Sequence, residues 1–166
     1  MANYWTRKDD SSHELDTLNP WEEVLGHGDR VMPKKRYKVV CAIVKNEGEY
    51  LCVRKGQTKY EYTSFRWEFP GGKIEEGETP QQALSRELLE EMDYRVEVKE
   101  ELCSVFHEYP DFSIELRAFL CTAKDRSYTL KEHMDSCWLP KGKLDDLAWC
   151  EADELLLQTW LGEISL

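Results

Sequence analysis

Residues 67–92 read WEFPGGKIEEGETPQQALSRELLEEM, and the rest of the chain is best understood outward from this stretch. A strand-like run ends at Pro70-Gly71-Gly72, and a helix follows. Thr79 is a good N-cap, Pro80 suits the first helical position, and Gln82 stands where a capping box needs it. At about 100° per residue, Leu84, Leu88, Leu89 and Met92 form one apolar stripe, with Glu87, Glu90 and Glu91 gathered beside it.

Carboxylates three or four positions apart on a helix repel by roughly 0.2–0.5 kcal/mol per pair, and Arg86 is the only basic residue in this helix. A solvated acidic face is the plain alternative; a bound cation is the more specific one. Oxygen donors without cysteine or neighbouring histidine are hard ligands, which suit Mg²⁺, or Mn²⁺ in its place, rather than zinc. Mg²⁺ in turn usually accompanies phosphates. Gly71-Gly72 permits close backbone approach and positive φ, and Lys73 supplies a cation beside the carboxylates.

Outward from this segment, RYKVVCAIVKN and EYLCVRK form a hairpin of buried strands around Asn46-Glu47-Gly48. YTSFRWEF reads as a third strand. YRVEVKEELCSVFHEY and FSIELRAFLCTAK read as a longer hairpin turning at Pro110-Asp111. A short strand at Cys137-Trp138-Leu139 precedes a helix from about Glu151 to Leu161. The class is α/β (α+β), a mixed sheet between helices. Residues 1–35 are polar and broken by Pro20, Gly26, Gly28 and Pro33, with Trp5 and Trp21 as their only large anchors, so they read as a poorly ordered extension, lacking its own core, to a domain over 36–166.

With 166 residues the chain suits one domain. A formal net charge of -11 argues against a nucleic-acid partner, since such binding rests on lysine and arginine at phosphates. The six cysteines include no C-x-x-C pair, and most lie in apolar runs, which points to reduced thiols and a cytoplasmic setting. No long apolar run suggests a membrane partner.

Gly72, Glu78, Arg86, Glu87, Leu88, Glu90, Glu91 and Tyr94 stand at the spacings of the Nudix box, G-x5-E-x7-R-E-U-x-E-E-x-G-U with U apolar. The chain resembles the Nudix pyrophosphohydrolases from Tyr37 to Leu157. The final box glycine is Asp93 here, a change whose expected cost is about 1 kcal/mol at most at a left-handed cap. The resemblance implies the Nudix fold and hydrolysis of a nucleoside diphosphate linked to another group, with Mg²⁺ and an attacking water. It implies Glu87, Glu90 and Glu91 as metal ligands, together with Gly72 of the box, and Glu87 or a later carboxylate as the group that deprotonates water. Arg86 and Glu78 orient them. Glu132 in KEHMDSCW is the expected further carboxylate, with Asp135 in reserve and His133 as a packing residue. Arg54 and Lys55 are alternative phosphate cations.

WEFPGGK resembles the mutator-type branch of the family, and LAWCEADELLL resembles the W-x-x-A-D element of its cytidine triphosphate enzymes. An ionised Asp153 accepts hydrogen bonds and donates none, so it suits the cytosine amine better than guanine O6. Asp153 is also placed for a first-turn acid, and Phe69 and Trp67 for either a base pocket or the core. The substrate implied is a nucleoside triphosphate, CTP, dCTP or a modified dCTP, cleaved to monophosphate and pyrophosphate. An 8-oxo-dGTP sanitising enzyme and a catalytically weak nucleotide-binding or interaction module are the competing readings.

Overall fold

The computed structural model describes residues 34–162. The expected extension therefore lies outside the described residues, apart from Lys34 and Lys35. Strand β1 (Lys35–Asn46) turns at Glu47-Gly48 into β2 (Glu49–Arg54), and both are rich in fully buried β-branched and apolar residues. Two short strands follow, β3 (Trp67–Glu68) and β4 (Gly71–Lys73), then helix α1 (Pro80–Met92). The long hairpin of β5 (Glu97–Glu108) and β6 (Phe112–Thr122) comes next. Strand β7 (Asp135–Leu139), a 3-10 turn (Lys141–Asp146) and helix α2 (Glu151–Trp160) complete the described chain.

The strands make one seven-stranded mixed sheet. β1 runs parallel to β6 from Lys35↔Phe112 to Lys45↔Thr122, and β5 closes that side antiparallel to β6. On the other side β1 and β2 pair only at Lys45↔Tyr50 and Asn46↔Glu49. Beyond that point residues 67–73 are wedged between them: β3 pairs with β2, β4 pairs with β1, and β7 covers the far edge of β2.

Strand alternation divides the core. Val40, Ala42 and Val44 pack under α1 with Leu84, Leu88 and Met92. Val39, Cys41 and Ile43 face α2 with Leu156, Leu157 and Trp149. The mixed sheet between helices is thus as expected.

Two local expectations are corrected. Residues 62–65 of the anticipated third strand form a turn: Ser64 N donates to Tyr60 O at 3.1 Å, while the hydroxyls of Thr58 and Thr63 lie 2.7 Å apart. Hydroxyl side chains that bond nearby backbone favour turns over ladders, and stacking of Tyr60 and Tyr62 on Phe112 and Tyr109 holds this one. In α1, Leu89 is 39 % exposed, while Glu87 and Glu91 are buried at 5 % and 3 %. The helix turns two of its carboxylates toward the sheet.

Candidate active site

The start of α1 is fixed as its sequence dictates. Thr79 Oγ1 accepts from Gln82 N at 3.1 Å and Gln82 Oε1 accepts from Thr79 N at 3.0 Å, closing the capping box. Its end is set by Asp93, at φ 50° and ψ 37°, whose N–H bonds carbonyls of the last turn. Aspartate takes the left-handed cap that glycine would have filled.

Between β4 and α1 the carboxylates converge on Arg86. Its Nε donates to Glu78 Oε2 at 2.5 Å and its Nη2 to Glu78 Oε1 at 2.9 Å, a two-point clamp. Nη1 reaches Glu87 at 3.1 Å and Glu90 at 3.2 Å, and Nη2 also holds the Lys73 carbonyl at 3.1 Å. The clamp with Arg86 holds Glu78 below the usual carboxylate range. Glu87 behaves oppositely, because burial pushes its carboxyl up to about 7 despite the nearby guanidinium.

Both glycines are required by close approach, and neither adopts positive φ. A Cβ on Gly71 would strike the Val40 carbonyl, with Cys41 Cα at 2.7 Å. One on Gly72 would run into the Glu87 carboxylate. The loop before β7 is tied to the end of α1 through Lys131 N to Glu91 O at 3.2 Å, and to β2 through Met134 N to Arg54 O at 2.9 Å. Glu132 is exposed and lies in sequence between these two ties.

Among the described residues no group of three or more histidine, cysteine, aspartate or glutamate side chains is drawn into a ready-made metal cage. The donor set nevertheless fits a hard divalent cation: it is oxygen only, and it includes a buried carboxyl, seated in a glycine cradle, that a cation would return to its charged form.

Two expected cations lie elsewhere. Lys73 pairs with Val39, so its side chain takes the α2 face, with the ammonium 4.3 Å over the Tyr37 ring. Its carbonyl accepts from Arg86 within the carboxylate network. Lys55 is 1 % exposed and ion-paired to Glu68, which removes it as a solvent-facing phosphate cation. Arg54 remains at the strand end, half-buried, its Nε bonded to Phe65 O at 2.9 Å.

The Lys55 pairing belongs to a buried polar cluster on the α2 side. Glu68 also accepts from His133 Nε2 at 2.8 Å, so His133 is more than packing. Burial would raise the Glu68 carboxyl, but Lys55 and His133 together hold it below its ordinary value. Asp153, 0 % exposed, accepts from Phe69 N at 3.0 Å through Oδ2, while Oδ1 has no hydrogen-bond partner among the described residues. Burial, followed by the charge of Glu68, pushes Asp153 up to about 7. Phe69 lies 1 % exposed with its ring 4.7 Å from that of Trp149, forming the wall of this cluster. Glu68 and His133 carried no spacing signal, because 65 residues separate them.

Residues 34–165 match the NUDIX domain model. An 8-oxo-dGTP diphosphatase from Proteus vulgaris is 36% identical over 102 residues, 61% of this chain and 90% of the relative. A CTP pyrophosphohydrolase from Escherichia coli is 32% identical over 122 residues, 74% of this chain and 81% of the relative. The solution structure of a MutT protein from methicillin-resistant Staphylococcus aureus, described as a Nudix hydrolase, has 35% identity and a TM-score of 0.62, covering 80% of this chain and 100% of its own. With the Glu87 carboxylate of its box seated against Gly72 and a family match spanning all the described residues, the chain belongs to the NUDIX domain family and is a Nudix hydrolase.

Proposed function

We propose that the protein is a nucleoside triphosphate pyrophosphohydrolase that releases a nucleoside monophosphate and pyrophosphate, with cytosine nucleotides, CTP, dCTP or a modified dCTP, as its substrates. The observation that carries the reaction class is the Glu87 carboxylate, buried against Gly72 and joined to Glu90 through a guanidinium that Glu78 holds at two points. Glu87, Glu90, Glu91 and Glu132 would hold Mg²⁺, which when bound neutralises phosphate oxygens and acidifies water. Glu87, or a later carboxylate, accepts the proton of the attacking water. Arg86 keeps that carboxylate oriented, and Arg54 is the cation available to the phosphates. The setting proposed is the cytoplasm.

Asp153 is the candidate base reader, and its protonation state sets the base. Ionised, it offers acceptors alone and suits the cytosine amine; protonated, it donates as well and admits a guanine carbonyl. Its carboxyl near 7 is therefore the specific observation that favours a second reading, turnover of 8-oxo-dGTP. The similarity to relatives named for each nucleotide supports the same pair of readings.

Product analysis with Mg²⁺ across CTP, dCTP, 5-methyl-dCTP, dGTP, 8-oxo-dGTP and ADP-ribose, at about pH 6 and about pH 8, tests this, with Glu90→Gln as the blank. Selective release of CMP or dCMP with pyrophosphate, greater at the higher pH, is expected. Selective 8-oxo-dGTP turnover, greater at the lower pH, transfers the assignment to the second reading, and turnover of ADP-ribose alone overturns both.

A further inference from the structure

We propose that Cys52 and Cys137 form a reversible disulfide, a redox modification site on the α2 face of the sheet. The two residues are direct partners in the antiparallel pairing of β2 with β7. Cross-strand partners project to the same face, and both side chains contribute to the apolar cluster beneath α2. Opposed residues in an antiparallel pair have Cα atoms about 4.5 Å or about 5.5 Å apart, depending on their place in the ladder. Both separations fall within the range of about 4.4–6.8 Å that a disulfide spans. The bond therefore needs side-chain rotation and no strand movement.

Among the registered strand pairs of the described residues, this is the one position where cysteine faces cysteine: Cys41 and Cys103 face Ala118, and Cys121 faces Val98 and Val44. Both thiols are reduced here. Their exposure differs in a useful way, since Cys52 is 0 % exposed and Cys137 is half-buried. The Cys52 thiol donates to Tyr50 O at 3.7 Å; the neighbouring Cys52 holds Cys137 below the ordinary thiol value, while Cys137 and burial raise Cys52. The accessible sulfur is thus the nucleophile and the buried one the resolving thiol.

With a peroxide as oxidant, the Cys137 thiolate attacks the O–O bond, taking one oxygen as sulfenic acid and releasing hydroxide, which is protonated to water. The Cys52 sulfur then attacks the Cys137 sulfur, forming the S–S bond and expelling the second oxygen as water. Two thiols are oxidised and one peroxide is reduced to two waters. A dithiol reductant reverses the change. The bond would tie β7 to β2 close to Arg54 O and Met134 N, where the loop carrying Glu132 and His133 is anchored.

The full chain should be treated with hydrogen peroxide, alkylated without reduction, digested and mapped by mass. A linked peptide pair containing Cys52 and Cys137, lighter than the two thiol peptides by two hydrogens and lost after dithiothreitol, is expected. Its formation should raise the apparent Tm by roughly 5 °C. The Cys137→Ser protein should give no such pair and no Tm change. The Cys52→Ala protein should retain a sulfenic acid at Cys137 that dimedone labels. Absence of the linked pair in oxidised wild type, or linkage of Cys52 to another cysteine, overturns the proposal. Because the readouts are mass and melting, it fails or succeeds separately from the nucleotide assignment.

Discussion

The carboxylate of Glu87 occupies the space in which a side chain at position 72 would begin: a Cβ on Gly72 would stand 2.5 Å from Glu87 Oε2 and 2.6 Å from Oε1. The smallest residue in β4 and a buried acid in the helix are therefore one unit.

Gly72→Ala must push that carboxylate aside while leaving the β4 backbone able to pair. The expected result is a loss of about 100-fold in turnover, the scale of a misplacement near 1 Å at a reacting group, with an unchanged far-UV circular dichroism spectrum. Monophosphate release under saturating substrate checks it, and retention of wild-type turnover would detach Gly72 from the chemistry.

Arg86→Lys keeps the charge and loses the planar fork that holds Glu78 at two points. Stability should fall by about 1–3 kcal/mol, the range for hydrogen bonds to charged groups. The Glu87 carboxyl, no longer drawn down by the guanidinium, should rise beyond about 7. Urea unfolding and the acid limb of the pH–rate profile read the two effects.

Asp153→Asn tests the buried acid through stability. The folded carboxyl titrates near 7, above its ordinary 3.8, because burial and then Glu68 disfavour its charge. The folded state therefore holds a proton that the unfolded chain releases, and wild-type stability declines as pH rises from about 4 to about 7, then levels off. The neutral variant removes that decline. Its Tm advantage over wild type should be near zero at about pH 4 and positive above about pH 7; an advantage independent of pH would contradict the assignment.

Asp93→Gly has two opposing effects. Glycine relieves the left-handed backbone by up to about 1 kcal/mol, while the exposed ion pair from Lys131 Nζ to Asp93 Oδ1, 3.0 Å long, is lost at a cost of about 0–1 kcal/mol. Net stability by urea unfolding should stay within about 1 kcal/mol of wild type. Asp93→Val, a β-branched residue at positive φ, should destabilise measurably.

Local rules made much of this molecule legible. The capping box at Thr79 and Gln82, the buried apolar run of β1, and the turn at Pro110-Asp111 depend on neighbours within a few positions, and each appears where the residues require it. Leu89 and residues 62–65 depart because packing chose among locally permitted options. Burying Glu87 and Glu91 rotates α1 away from its most hydrophobic orientation, and hydroxyl bonds with aromatic stacking bend a β-prone run into a turn.

The sequence by itself determined the helix, its caps and the spacing that groups Glu87, Glu90 and Glu91, because a helical period converts separation along the chain into direction in space. Only the tertiary structure decided which cations meet which acids. Sheet pairing sent Lys73 to the α2 face, buried Lys55 against Glu68, and brought His133 and Asp153 into one polar cluster. Their protonation follows from burial and mutual charge, quantities that exist only once distant segments have packed together.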